Sequence, residues 1–350
     1  MQSGTPQGER PELIIPGRLT TASYEYEQWN LAKRTCEYQR AYTESPPPVP
    51  STIPALDKIM RGGFRPGVHF LGGTTGAGKT AFALYLASRI ASCDDPRGNG
   101  GKRGVTIISL ELPEWEVRAR MGSRISYVRD ELTAFRWADF EQLGFEAHEA
   151  DRNNLETGWE VYSDPVMSAD TELQVNCPNI RIVDGATKHE KANLTDIEME
   201  IDACGRHGGS FVVVDYLQCI NAGFGLDEQQ AMKEAARSLN LAGIRAGVPV
   251  LAISAISRAK GAEMQSGKSG ENPGADIFRG SSWIEYTGLT AWALVRRKDA
   301  ERCNETVEVE LYPVKNRRGE CRECVTLAYN GAFGQFDYFE TDQNGRFSVQ

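Results

Sequence analysis

No stretch of the chain approaches the roughly 18 consecutive apolar residues that a membrane span requires. Its start, Met1-Gln2-Ser3-Gly4-Thr5, has neither the positive charge nor the apolar centre of a secretory leader. A cytoplasmic protein with no membrane partner is expected. Cysteine is sparse, eight in 350 residues, too few for a disulfide scaffold. Several cysteines sit in apolar stretches, such as Cys219 after Asp215-Tyr216-Leu217-Gln218, where reduced core thiols are expected. Cys321 and Cys324 have the spacing of half a zinc site, but no second pair follows, and Cys303 brings no histidine to complete four ligands. Alternation along a strand accounts for that spacing equally well. Positive charge is not in surplus either. The formal net charge of −9 argues against a surface that coats nucleic acid throughout and leaves only a local basic channel.

What is present begins with enough apolar residues, 40%, for one large core or a core plus a small appendage. Ser45-Pro46-Pro47-Pro48-Val49-Pro50 is a stiff extended segment that separates an arm from the rest. Within that arm and linker, residues 1–50, Tyr24, Trp29, Ala32, Cys36 and Tyr42 fall near a helical repeat. One such helix does not fold alone. It must dock on its own domain, on a neighbouring subunit, or on a protein partner. From Ser51 to Gln350 apolar runs alternate with helical segments, the pattern of an α/β domain with a mostly parallel central sheet flanked by helices. Strands are expected at Val68–Leu71, Val105–Leu110, Ile180–Val183, Phe211–Val214, Val248–Ile253, Thr290–Val295 and Val307–Tyr312. The more polar Gln142–Ser168 reads as peripheral loop and helix.

Between the first two of those strands, Gly73-Thr74-Thr75-Gly76-Ala77-Gly78-Lys79-Thr80 fits the phosphate-loop pattern G-x-x-x-x-G-K-[ST]. Glycines let consecutive backbone N–H groups turn toward one anion, Lys79 reaches the β- and γ-phosphates, and the Thr80 hydroxyl completes a Mg²⁺ shell. The required context is a strand before and a helix after, its N-terminus aimed at the phosphates. Val68-His69-Phe70-Leu71 supplies the strand; Ala81 to Ala87 with Ile90 supplies a helix with one apolar face. A Gly-rich turn before a helix has no need of Lys-Thr at its end. A nucleoside triphosphate, ATP with Mg²⁺, is the expected ligand of Gly73 through Thr80.

Phe211-Val212-Val213-Val214-Asp215 is a bulky apolar run ended by a carboxylate. A buried parallel strand delivers its last side chain to the sheet's carboxyl edge, where ligands of open α/β folds bind. Asp215 thus suits a direct or water-mediated Mg²⁺ position beside Thr80. Val105 to Leu110 repeats this geometry and ends in Glu111. Glu111 can accept a proton from a water attacking the γ-phosphate, or it merely caps the helix that follows Pro113.

Read together, these residues resemble the RecA-like P-loop motor domain of DnaB-type replicative helicases, superfamily 4. Ser51 to Asp57 and Gly62 to Gly67 are similar to that family's lead-in. Ser109-Leu110-Glu111-Leu112 is similar to its S-L-E-M, whose Glu is the catalytic base, and Asp215-Tyr216-Leu217-Gln218 to its D-Y-L-Q. Arg279 to Glu285 is similar to R-x-S-x-x-I-E, and Lys315-Asn316-Arg317-Arg318-Gly319 to K-x-R-x-G. The likeness covers roughly residues 51 to 340. It implies an ATP hydrolase of the DNA helicase class that forms a ring, typically a hexamer, with Lys315 and Arg317 reaching the ATP of the adjacent subunit, and single-stranded DNA as a partner.

The departures are equally specific. The family's S-Q-L-[NS]-R appears as Ser254-Ala255-Ile256-Ser257-Arg258, so Ala255 replaces the glutamine that senses the γ-phosphate. The following loop, Ala259 to Asp276, holds Lys260 and Lys268 against Glu263, Glu271 and Asp276, a poor phosphate-tracking surface. With only 50 residues before Ser51, the family's globular N-terminal domain is expected to be absent. Two functions are therefore expected in competition. One is a ring-forming motor that translocates on or unwinds DNA. The other is a RecA-fold ATP switch, KaiC-like or RadA-like, that remodels or recruits proteins without unwinding.

Overall fold

The computed structural model describes residues 38–40, 43, 45–74, 76–97, 101–152, 158–188, 192–222, 227–265, 277–278, 286–296, 302–303, 305–321, 323–341 and 347–349. The chain divides into two units, Met1–Pro46 and Pro47–Gln350. In the first, residues 38–40 and 43 are helical, and most of the helix expected over Tyr24 to Tyr42 lies outside the described residues.

The second unit opens with α1 (Pro54–Ile59), which carries proline in its first turn, where a missing N–H costs nothing. It continues through β1 (Gly67–Gly73), α2 (Lys79–Ser92), β2 (Gly104–Ser109), α3 (Glu114–Arg129), α4 (Phe140–Arg152), α5 (Gly158–Asn176), β3 (Ile180–Asp184), α6 (Leu194–Arg206) and β4 (Gly209–Asp215). Then come α7 (Glu228–Ala246), β5 (Pro249–Ile253), α8 (Arg258–Gln265), β6 (Thr290–Val295), β7 (Arg302–Cys303), β8 (Thr306–Asn316), β9 (Val325–Asn330), β10 (Gln335–Thr341) and β11 (Phe347–Val349). Among the described residues no helix is long and apolar enough to cross a membrane.

Six strands run parallel in the order β3-β2-β4-β5-β1-β6, and β8 to β11 extend the sheet antiparallel beyond β6, with β7 pairing β8. The central strands are apolar throughout because helices cover both faces. Alternation along β4 shows it: Phe211 and Val213 enter one core with α2, while Val212 and Val214 enter the other with α6 and α7. Every expected strand is present. Val307–Tyr312 proves to be part of the longer β8, and β7, β9, β10 and β11 are additional.

Helices α4 and α5 take up most of Gln142–Ser168, in keeping with the loop and helix expected there, and Ala169 and Leu173 give α5 a buried face. That face packs on α3, joined by the Arg118–Asp170 ion pair at 2.8 Å. Cys321 and Cys324 lie in the connection between β8 and β9 rather than on a strand, so strand alternation does not account for their spacing.

The antiparallel extension is tied to α2 by aromatic rings. Phe336 of β10 is fully buried, stacked on Tyr329 of β9 at 4.4 Å between centroids, with Phe82 at 5.1 Å and Tyr85 at 5.6 Å. On the other flank of β1, His69 is buried in a polar relay. Trp292 Nε1 donates to Thr290 Oγ1 at 2.9 Å, Thr290 Oγ1 lies 2.8 Å from His69 Nδ1, and His69 Nε2 lies 2.8 Å from the Arg65 carbonyl. The relay fits a neutral ring that accepts at Nδ1 and donates at Nε2.

Burial pushes the His69 pKa down to about 4, against the hydrogen bond to the Arg65 carbonyl. A base with a folded pKa below its unfolded value stabilises the fold fully above the unfolded value, and that stability is lost as pH falls through the folded one. The parent's resistance to thermal unfolding should therefore fall as the pH drops from about 6.5 to 4. His69→Gln should flatten that part of the profile. An unchanged slope would show that other groups govern it.

Candidate functional site

β1 ends at Gly73, and the chain turns sharply into α2. Thr74 N–H donates to the Leu294 carbonyl of β6 at 3.1 Å, and Ala77 N–H to the Thr74 carbonyl at 3.2 Å. Gly76 and Gly78 have φ of 75° and 88°, the left-handed region that glycine enters without cost. Two close approaches also demand glycine. A Cβ on residue 73 would stand 2.5 Å from the Leu294 carbonyl oxygen, and one on residue 78 would stand 2.7 Å from the Tyr329 ring. Gly78 is the N-cap of α2 and no side chain caps the helix there, so its first N–H groups remain available to an anion. Thr74 and Ala77 are buried; Thr75 lies outside the described residues.

Lys79 turns back over this loop. Its Nζ donates to the Gly73 carbonyl at 3.2 Å and the Thr74 carbonyl at 3.4 Å. Burial pushes its pKa down, opposed by the charges of Asp215 and Glu111. Asp215 ends β4 and is buried, and its pKa is pushed up to about 6. Burial is the main cause; the Thr80 hydroxyl hydrogen bond opposes it, Glu111 adds to it, and Lys79 and Arg120 oppose it. The sheet's register sets Glu111 beside this cluster. Ser109, the last residue of β2, pairs with Asp215, and Leu110 N–H donates to the Asp215 carbonyl at 2.7 Å. Ser109 Oγ then closes the turn, donating to the Leu112 carbonyl at 2.6 Å and accepting from Leu112 N–H at 3.2 Å.

Glu111 does not cap α3. The N-cap is Pro113, and the Glu114 N–H finds Asp184 Oδ2 at 3.3 Å. Glu111 is exposed and lines an open cleft together with Gly76, Gly78, Lys79, Thr80 and Asp215. The residues read from the phosphate loop and from the ends of β2 and β4 thus meet in one space.

The cleft has further walls that the sequence did not announce. Arg120 of α3 is held by Glu116 Oε1 at 2.6 Å, and its guanidinium lies 4.0 Å from the centre of the Trp137 ring. Tyr329 comes from β9, roughly 250 residues from the phosphate loop by the numbering. Neither belongs to a spacing pattern; the one available signal is that Arg120 shares the helix following Glu111. Ala255 also lines the cleft. Its N–H donates to Gln218 Oε1 at 3.3 Å, while Gln218 Nε2 donates to Ser254 Oγ at 3.1 Å, so the backbone at position 255 is held although its side chain has no polar atom.

Lys315 and Arg317 lie elsewhere. β6 pairs with β1 so that Leu294 faces Gly73, but with β8 so that Thr290 faces Asn316. Four residues of strand, about 13 Å, therefore separate them from their own phosphate loop, toward the opposite sheet edge. Arg317 is exposed; its N–H donates to the Leu289 carbonyl at 3.0 Å and its guanidinium to the Tyr286 carbonyl. Arg279 to Glu285 and residues 266–276 lie outside the described residues. In α8, which opens the Ala259–Asp276 segment, Lys260 pairs with Glu263 at 3.8 Å.

The sequence model of the DnaB-like helicase C-terminal domain matches residues 48–338. A curated relative, the replicative DNA helicase DnaB of Leifsonia xyli subsp. xyli (strain CTCB07), is 31% identical over 133 residues, 37% of this chain and 28% of the relative. That match spans little more than a quarter of the relative's length. Among solved structures, an ATPase domain superposes with a TM-score of 0.62 at 22% identity, covering 87% of this chain and 96% of that one. A DnaB-like replicative helicase, solved in a study of its interactions with primase, gives 0.61 at 21%, covering 88% and 66%. At these identities the likeness concerns the RecA-like fold.

The contact between Gly78 and Tyr329 can be tested. Gly78→Ala should destabilise the protein by about 1–3 kcal/mol, from the left-handed backbone and the ring in its way. Combined with Tyr329→Ala, the two losses should be non-additive by at least about 0.5 kcal/mol in denaturant titrations. Strict additivity would show that the ring does not constrain position 78.

Proposed function

The chain belongs to the family of DnaB-like helicase C-terminal domains, and on that premise we propose that it hydrolyses ATP and works as a ring-forming motor on DNA. The observation that carries this reading is the meeting of Lys79, Thr80, Asp215 and Glu111 in one cleft at the carboxyl edge of a parallel sheet. On the same reading, residues 51–350 are the motor and residues 1–50 an arm available to a neighbouring subunit or protein partner.

Each residue has a part. The backbone from Gly73 through Thr80, Thr74 to Gly78 included, wraps the β- and γ-phosphates, and Lys79 neutralises them. The hydrogen-bonded Thr80 and Asp215 fit a Mg²⁺ ion, which when bound neutralises charge developing between those phosphates. Glu111, exposed at the rim, takes the proton of the attacking water. Arg120, steered by Glu116 and Trp137, adds positive charge from the same chain. Lys315 and Arg317, remote from their own loop, supply cations to the site of the next subunit, which makes the complete site an interface.

A second reading, an ATP switch that acts on proteins without unwinding, draws support from Ala255. A methyl group there cannot hydrogen-bond a γ-phosphate, so cleft and downstream segment would be weakly coupled. Single-stranded DNA separates the two readings. A motor on DNA should show an ATPase rate raised severalfold by it; an unaltered rate on oligomeric protein would favour the switch.

Glu111→Gln should lower turnover by about 10²- to 10⁴-fold with ATP still bound. Mixing those subunits with Arg317→Ala subunits should restore activity at junctions that pair an intact Glu111 with an intact Arg317. A mixture no more active than its components would remove the shared site.

A further inference from the structure

Arginines exposed on several elements of this chain are matched to carboxylates. Arg118 holds Asp170 at 2.8 Å, Arg181 holds Glu200 at 3.0 Å and Arg245 holds Asp202 at 2.8 Å. One cluster departs from that habit. Lys58, Arg61, Arg65 and Arg318 form no ion pair among the described residues. Lys58, Arg61 and Arg318 are exposed and Arg65 is half-buried.

Two segments bring them together. Arg61 N–H donates to the Lys58 carbonyl at 3.2 Å, and Arg65 Nη2 reaches back to the Arg61 carbonyl at 3.4 Å. The connection after β8 docks on the same turn: Asn316 Nδ2 donates to the Ile59 carbonyl at 2.9 Å, and Arg318 N–H donates to Asn316 Oδ1 at 3.0 Å. Burial lowers the Arg65 pKa, and the nearby Arg318 charge lowers it further. Arg61 stands at φ 54°, a conformation that glycine enters more cheaply, so the backbone bears some strain to present a cation there. Two carboxylates adjoin the cluster in sequence. Asp57 accepts from the Ser51 N–H at 2.7 Å, and Glu320 is exposed, so positive charge is in excess.

The cluster lies at the amino edge of the sheet. Arg65 precedes β1, whose seven residues, about 20 Å of strand, separate it from its own phosphate loop. Arg318 differs in direction from Arg317, whose guanidinium turns to the Tyr286 carbonyl.

We propose that Lys58, Arg61, Arg65 and Arg318 take the phosphates of a single DNA strand at this edge, away from the cleft. The inference rests on the DNA half of the proposed function. A strand carries one charge per phosphate and is held chiefly by cations that neutralise it. The segment Ala259–Asp276 supplies few: carboxylates outnumber lysines in it, and Lys260 is paired with Glu263. Guanidinium forks suit phosphate oxygens, and three of the four cations here are arginines. On a chain of net charge −9, such a patch gives a polyanion one place to settle while the rest of the surface repels it.

The test is a fluorescence-anisotropy titration of the full chain with a labelled oligothymidylate, without nucleotide, at several salt concentrations. With four phosphates engaged, log K should fall against log salt with a slope of about −3 or steeper, about 0.7 per contact. Lys58→Gln, Arg61→Gln and Arg318→Gln, all at exposed positions, should each make the slope shallower by about 0.7, and by about 2 together. Arg181→Gln, which removes a cation already matched to Glu200, should leave the slope unmoved. A slope unchanged in the triple variant would overturn the inference and leave DNA binding, through other residues, standing. A triple variant that sediments as a smaller species than the parent would also overturn it, assigning the patch to contact with a second copy of the chain. Failure of the parent to bind the strand at any salt concentration would overturn the inference together with the DNA half of the proposed function.

Discussion

The close pairing of β1 with β6, and of β2 with β4, governs the geometry on which every other feature of the cleft depends. Gly73 stands opposite Leu294 and Ser109 opposite Asp215, with no room for a side chain at Gly73. A shift of one residue in either pair would turn every side chain to the other face of the sheet. Apolar packing on both faces forbids it, since Phe211 and Val213 cannot trade cores with Val212 and Val214 without emptying one and crowding the other. The polar cluster at the edge is thus held by an apolar arrangement beneath it. Its cost is visible in the displaced pKa values of Lys79 and Asp215, both caused chiefly by burial.

The parallel half of the sheet was legible because strands buried on both faces are written as unbroken apolar runs. Val68 to Leu71, Phe211 to Val214 and Thr290 to Val295 carry that signature, and the structure differs from it only at the ends. The antiparallel half was legible only in β8. β9, Val-Thr-Leu-Ala-Tyr-Asn, buries alternate residues, and β10 opens on Gln-Phe-Asp-Tyr. Such strands resemble polar loops until a neighbouring helix is known to cover one face. The same reason blurred the bounds of α4 and α5 within the loop and helix expected there, since only Ala147, Ala169 and Leu173 carry buried packing that composition does not advertise.

At the site, contiguous motifs were readable and solitary residues were not. Lys79, Thr80, Glu111 and Asp215 each belong to a local pattern with a physical rationale, and they converge. Arg120 and Tyr329 reach the cleft from two different elements, with Trp137 lying under the Arg120 guanidinium, through contacts that no sequence interval encodes. Lys315 and Arg317 illustrate the converse. Their motif was clear, and their distance from their own loop follows only from the pairing of β6 with β8.

The aromatic contacts around Phe336 have a mechanical meaning. Tyr329 forms one wall of the cleft, and the helix that begins at Lys79 forms its floor; Phe336 grips both, through Tyr329 on one side and Phe82 and Tyr85 on the other. Aromatic pairs of this kind contribute about 0.5–1.5 kcal/mol each beyond the area they bury. Wall and floor therefore move as one stiff bracket. Any widening of the cleft falls to the opposite jaw, where the turn carrying Glu111 is held by hydrogen bonds: the hydroxyl of Ser109, the Leu110 N–H on the Asp215 carbonyl and the Glu114 N–H on Asp184.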